Sequence, residues 1–241
     1  MQLNLTLPHI SENLIPHSFA DEMLNAFSRF IDTKSLKQEG SLTAKLIELK
    51  NQSELGAAMR EWDQSSIMQK FNKNLRIIIS KKYGVTLESF PINAVRVSLP
   101  SLDLTKLPWH QDEATWNASE ALRNKFPFTA WVPLMSPKLY DGIEIFNIPY
   151  TKLHWHRQVD KVGYFGGEGF QEISGEIDIL KASTKKGDVT FFSSLAPHRS
   201  YSENIDPSKA RVSMDFRFVP EKKIAVIVSR KHWKYLIKDF L

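Results

Sequence analysis

The sequence predicts a mainly β fold with flanking α-helices, its strands arranged as a sandwich or barrel. Two observations carry this. Residues 1 to 85 place apolar side chains at helical spacing, whereas residues 90 to 220 break into short alternating runs punctuated by Pro, Gly and Asn. A third observation concerns organisation. No internal repeat, low-complexity tract or long linker interrupts the chain, so the helices are expected on the outside of the β half in one domain, 1–241.

The helical flank begins at residues 17 to 33, where Phe19, Met23, Phe27, Phe30 and Ile31 recur on one face and Ser18 with Asp21 reads as a capping box. Residues 41 to 62 follow a weaker helical pattern. From Ser65 to Lys82 the residues Ile67, Phe71, Leu75, Ile78 and Ile79 share a face, and Gly84 supplies the stop. Strands are expected at 94 to 99, 129 to 134, 143 to 148, 177 to 180, 188 to 192 and 211 to 219. The extension 221 to 241 fits either an added strand at Ile224 to Val228 or a terminal helix from Lys231 to Leu241.

Composition narrows the chemistry. With no cysteine, disulfides, thiolate metal sites, iron–sulfur clusters and thiol nucleophiles are excluded, and any metal must take His, Asp or Glu. The start, MQLNLTLPHI, does not read as a secretory leader, and no stretch approaches the roughly 20 apolar residues of a membrane span. A cytoplasmic protein with no membrane partner is therefore expected. The net charge of +5 leans only weakly towards an anionic substrate, because the basic residues come in scattered pairs such as Lys185-Lys186 and Arg230-Lys231. A nucleic-acid-binding module would need a basic stripe with interleaved aromatics, so no nucleic-acid partner is expected.

Two segments carry candidate chemistry. In Trp109-His110-Gln111-Asp112, at the end of an extended stretch, period-two geometry turns His110 and Asp112 to the same side. An imidazole and a carboxylate supply two corners of a facial metal triad, and a distant His must supply the third. His198 is the candidate, a few residues past the turn and strand Lys186 to Phe192. Thirteen residues later, Arg211, Ser213, Asp215 and Arg217 share one strand face while Val212, Met214, Phe216 and Phe218 share the other. A polar face on so apolar a strand lines a cavity, and the planar fork of Arg211 suits a carboxylate there.

From Pro108 through Phe218 the chain resembles the phytanoyl-CoA dioxygenase-like branch of the iron(II)/2-oxoglutarate oxygenases. The resemblance rests on His110-Gln111-Asp112, on Ala130 to Leu134 followed by Asp141-Gly142-Ile143, and on Gly187-Asp188-Val189 leading to Pro197-His198-Arg199-Ser200, Asn204 and Arg211. It implies a double-stranded β-helix, a jelly-roll barrel, over 90 to 220. It also implies Fe(II) on His110, Asp112 and His198, with Arg211 and Ser200 on the far carboxylate of 2-oxoglutarate. Gln111 and Trp131 match positions lining the cosubstrate pocket, and O2 is the second cosubstrate. Arg217, deeper on the same face, is the alternative to Arg211, because the interval after His198 is longer than usual. A second departure is Ile148-Pro149-Tyr150-Thr151-Lys152 where the family has a Pro-Gly-Ser-His-like turn, which alters the substrate mouth.

The activity so implied is hydroxylation of an unactivated C–H of a small molecule, with release of succinate and CO2. Asp112 favours this over halogenation, because the resembling halogenases have a small residue there. A non-oxidative cupin-like isomerase or ligand-binding barrel is the alternative, and it has no need of the carboxylate-binding Arg. Substrate contacts are expected from Arg96, Trp116, His154 and His156. His154 and His156 with Glu144 also form a possible second metal set. The Gly163 to Gly169 stretch superficially suggests a phosphate-cradling loop but has no following Lys-Ser or Lys-Thr, and reads as a loop.

Overall fold

A computed structural model describes residues 3, 6–36, 39–99, 107–116, 126–135, 141–150, 153–154, 156–158, 165–167, 170, 174–202 and 210–221. The helical flank follows strand β1 (His9–Ser11) and comprises α1 (His17–Asp32), α2 (Leu42–Asn51), α3 (Leu55–Asp63) and α4 (Ser66–Tyr83). The capping box expected at Ser18 and Asp21 does not form. The chain enters from Ile15, whose N–H donates to Gly187 O at 3.1 Å, and Pro16 with φ −58° already starts the helix. Ser18 thus sits inside the first turn, too late to act as the cap. The weak pattern over 41 to 62 resolves into two helices because Ser53 takes φ 62° between them. At α4 the signals hold: the Ser65 hydroxyl accepts from Met68 N–H at 3.1 Å, and Gly84 ends the helix at φ 65°.

The remaining elements are β2 (Leu87–Ser89), β3 (Ala94–Ser98), α5 (Asp112–Trp116), β4 (Phe128–Met135), β5 (Asp141–Phe146), β6 (His156–Gln158), β7 (Phe165–Gly167), β8 (Ile179–Lys181), β9 (Val189–Ser193), β10 (His198–Ser202) and β11 (Arg211–Pro220). A major antiparallel sheet runs β1-β9-β4-β11-β2, with β3 also pairing β11; a minor sheet runs β10-β5-β8. β5 ends at Phe146, two residues earlier than expected, because Asn147 turns to Asp178, donating its N–H to the carbonyl and its side-chain amide to the carboxylate. Residues 165 to 167, expected in a loop, form β7 against β6. Both expectations for 222 to 241 lie outside the described residues, as does Asn204.

Two cores result. The outer face of the major sheet, with Val132, Phe191, Met214 and Phe216, packs against Phe27, Trp62, Phe71 and Ile79 of the helices. Burying each such side chain stabilises by roughly 1.5–3 kcal/mol. The inner face meets the minor sheet through Trp131, Phe192, Ile143 and Ile145. The two antiparallel sheets facing each other form the expected double-stranded β-helix, with helices outside. Among the described residues no helix is long and apolar enough to cross a membrane.

Candidate metal centre

The site is built where the minor sheet begins. His110 and His198 form an antiparallel bridge in which each backbone N–H donates to the other's carbonyl, both at 2.9 Å. This sets the two imidazoles side by side, with centroids 4.2 Å apart. Each ring has its tautomer fixed two residues upstream: His110 Nδ1 meets Pro108 O at 2.8 Å, and His198 Nδ1 meets Ala196 O at 3.0 Å. A carbonyl can only accept, so Nδ1 carries the proton and Nε2 keeps its lone pair.

Asp112 arrives differently from the period-two expectation. The extended stretch ends at His110, and Asp112 is the first residue of α5. That helix is anchored by Glu113, which donates its N–H to Ser194 O at 3.0 Å and accepts from the Ser194 hydroxyl at 2.8 Å. Asp112 Oδ2 accepts from Thr129 Oγ1 at 2.9 Å and from Arg217 Nε and Nη2 at 3.1 and 2.9 Å. Oδ1 faces the imidazoles, 4.0 Å from His110 Nε2 and 3.8 Å from His198 Nε2. One donor atom from each of the three residues lies within 4.8 Å of the others, and all three residues are buried.

Burial pushes His110 down to about 3, helped by the neighbouring His198, and burial lowers His198 too. Burial alone would raise Asp112; the Arg217 guanidinium, then the two imidazoles, hold it below the usual carboxylate range. At neutral pH the set is two neutral imidazoles and one carboxylate, a nitrogen and oxygen donor set of charge −1 suited to a divalent first-row metal.

A cavity lies against this set; His110, His198, Arg96, Trp131, Ser200 and Arg211 line it. Arg211, buried, donates from Nη1 to Gly142 O, and the Ser200 hydroxyl accepts from Leu107 N–H at 3.1 Å. Arg217, the alternative to Arg211, does not line the cavity, being engaged by Asp112. Arg96 Nε donates to Asp215 Oδ2 at 2.9 Å, which orients it on the cavity wall. The α5 backbone includes Trp116, but its side chain lies outside the described residues.

Three further candidates make contacts of their own. Gln111 is fully buried and absent from the cavity wall; its amide spans His154 N–H (to Oε1, 2.7 Å) and Leu195 O (from Nε2, 2.6 Å). His154 and His156 do not line the cavity either; His156 Nε2 accepts the Gln111 backbone N–H at 2.9 Å. Nor do they form a second metal set: Glu144 pairs with Arg199 at 2.7 Å, and among the described residues only His110, Asp112 and His198 cluster as ligands.

Sequence reasoning missed Thr129, hidden in an apolar run, and the role of Arg217, whose place on the polar face of β11 was visible although its partner was not.

No protein-family model matches the chain, and no curated protein does. Solved structures share its fold. EctD from S. alaskensis is 13% identical, with a TM-score of 0.55 over 89% of this chain and 73% of that one. The epimerase SnoN, solved with Fe3+, α-ketoglutarate and nogalamycin RO, is 15% identical, with a TM-score of 0.53 over 88% and 78%. SnoK, a non-heme α-ketoglutarate dependent carbocyclase from nogalamycin biosynthesis, is 11% identical, with a TM-score of 0.54 over 89% and 79%. At these identities the likeness is one of fold.

Proposed function

We propose that this chain is an iron(II)- and 2-oxoglutarate-dependent oxygenase of the phytanoyl-CoA dioxygenase-like kind, hydroxylating an unactivated C–H bond of a small molecule. The observation that carries the reading is the clustering of two neutral imidazoles with one carboxylate, both imidazoles lining a cavity that Arg211 also lines. The donor set fits a divalent iron in charge and chemistry: one negative charge, no sulfur, and both Nε2 lone pairs kept available by the Nδ1 bonds. When bound, iron(II) with 2-oxoglutarate and O2 supplies C–H oxidation, and 2-oxoglutarate leaves as succinate and CO2.

The chain's own residues bind, orient and exclude water. Arg211 takes the far carboxylate of 2-oxoglutarate through its planar fork, beside Ser200. Charges then balance, since the −1 donor set, a dication and Arg211 together offset the two carboxylates of the cosubstrate. Trp131 and Phe192, with Ile143 from the facing sheet, keep the inner end of the cavity apolar. Thr129 and Arg217 hold Asp112 ionised with Oδ1 turned to the imidazoles. EctD is also solved with 2-oxoglutarate and 5-hydroxyectoine, and the fold hosts an epimerase and a carbocyclase; the retained Asp112 favours hydroxylation over halogenation only, while desaturation, epimerisation and ring formation could use the same donor set. The same reading takes 1–241 as one domain of a cytoplasmic protein; the core shared between helices and major sheet supports the single domain over the described residues.

The test is iron-dependent succinate release from 2-oxoglutarate in air. Wild type is expected to release it slowly even without a prime substrate, Asp112→Ala not at all. Arg211→Lys should raise the 2-oxoglutarate concentration required by roughly tenfold or more, since a point charge replaces a bidentate fork. Iron-independent or absent release from folded wild type contradicts the proposal.

A further inference from the structure

The segment holding His154 and His156 was expected at the substrate mouth, but its polar atoms are spent elsewhere. The Gln111 backbone N–H, midway between two metal-ligand candidates, donates to His156 Nε2 at 2.9 Å. His156 Nδ1 donates to His154 O at 2.8 Å, which fixes the tautomer that leaves Nε2 able to accept. His154 N–H returns to Gln111 Oε1 at 2.7 Å, and Gln111 Nε2 goes on to Leu195 O at 2.6 Å. The next carbonyl, Ala196 O, is the one that orients His198. Tyr150 OH meets His154 Nε2 at 3.1 Å, and Phe170 packs on both imidazoles with centroids 5.2 and 5.9 Å away.

These bonds tie all three ligand positions to one segment. We propose that His154, His156 and Gln111 form a brace that sets the spacing of His110, Asp112 and His198, with His156 as its positioning residue. The proposal rests on the metal-site reading above. His156 does not line the cavity; it acts through the peptide of Gln111. Without this acceptor the buried Gln111 N–H loses its bond to His156, and the link between His110 and Asp112 is less constrained. Linkage makes the effect reciprocal: a metal that favours the set geometry also favours the docked brace.

Two substitutions separate positioning from packing. His156→Phe keeps a ring against Phe170 but removes the acceptor; His156→Gln keeps an acceptor oxygen at a similar reach. Iron(II) is titrated anaerobically at saturating 2-oxoglutarate, and 2-oxoglutarate at saturating iron. His156→Phe is expected to weaken iron binding roughly tenfold or more with 2-oxoglutarate affinity unchanged, and His156→Gln to restore most of it. Iron affinity of His156→Phe within about twofold of wild type overturns the brace while the metal site stands. Wild type that binds no iron overturns the metal-site reading itself and the brace with it. Should His156→Phe fail to fold, hydrogen exchange on wild type decides. The amides of Gln111 and His154 should gain protection when iron(II) is added anaerobically, and unchanged protection overturns the brace.

Discussion

The two faces of β11 are equally buried and held by different physics. On the outer face Val212, Met214, Phe216 and Phe218 pack against the helical layer, where dispersion and apolar burial act and direction matters little. On the inner face Arg211, Ser213, Asp215 and Arg217 are buried too, and here charges are matched atom to atom: Arg217 to Asp112, Asp215 to Arg96 at 2.9 Å and to Arg217 at 3.5 Å. One strand therefore serves as both scaffold and site wall. The outer face tolerates changes that conserve volume, while the inner face is intolerant of losing one partner of a pair.

The contrast is sharpest at neighbouring positions. Arg217→Leu leaves the Asp112 carboxylate buried without its cation and should cost about 3–5 kcal/mol in urea unfolding, with iron binding lost in the molecules that still fold. Phe216→Ala should cost about 3–5 kcal/mol through the cavity it leaves, yet retain iron affinity per folded molecule. If Phe216→Ala abolished iron binding as Arg217→Leu does, the division between the faces would collapse.

A smaller effect tests the edge of the inner face. Asp63, at the end of α3, accepts Val95 N–H at 2.6 Å, and burial raises its carboxyl to about 7. The folded state thus holds this proton more tightly than the unfolded chain. The associated stability is fully present below the ordinary value of 3.8 and is lost as pH rises through about 7. Asp63→Asn keeps an acceptor and removes the ionisation, so its stability relative to wild type should improve on the order of 4 kcal/mol between pH 4 and pH 8. Parallel stability-versus-pH curves would show that burial does not strain this carboxylate. Least of all, Met214→Leu on the outer face should cost under about 1.5 kcal/mol.

These faces also explain what could be read in advance. The alternation in β11 is long enough that both faces are legible from residue types alone, and all six expected strands overlap observed ones. β10 was not legible because His198-Arg199-Ser200-Tyr201-Ser202 lacks an apolar face; its pairing to β5 comes from the tertiary register His198 opposite Ile145. His110, Asp112 and His198 were legible as a triplet and a distant imidazole, although Asp112 reaches them from a helix start rather than a strand. What joins Arg217 to Asp112 and His156 to Gln111 spans 105 and 45 residues of sequence, so no local pattern reports it. The bonds of the Gln111 amide are hidden likewise, spanning 43 and 84 residues.

The most direct measurement needs no prime substrate. Iron(II) and then 2-oxoglutarate are added anaerobically to the folded protein, and the visible metal-to-ligand charge-transfer absorption of the chelate is recorded for wild type, Asp112→Ala and Arg211→Lys. The account predicts a band in wild type, none in Asp112→Ala, and in Arg211→Lys a band that needs more 2-oxoglutarate to saturate. A folded wild type with no band, or an Asp112→Ala protein with an undiminished one, contradicts it.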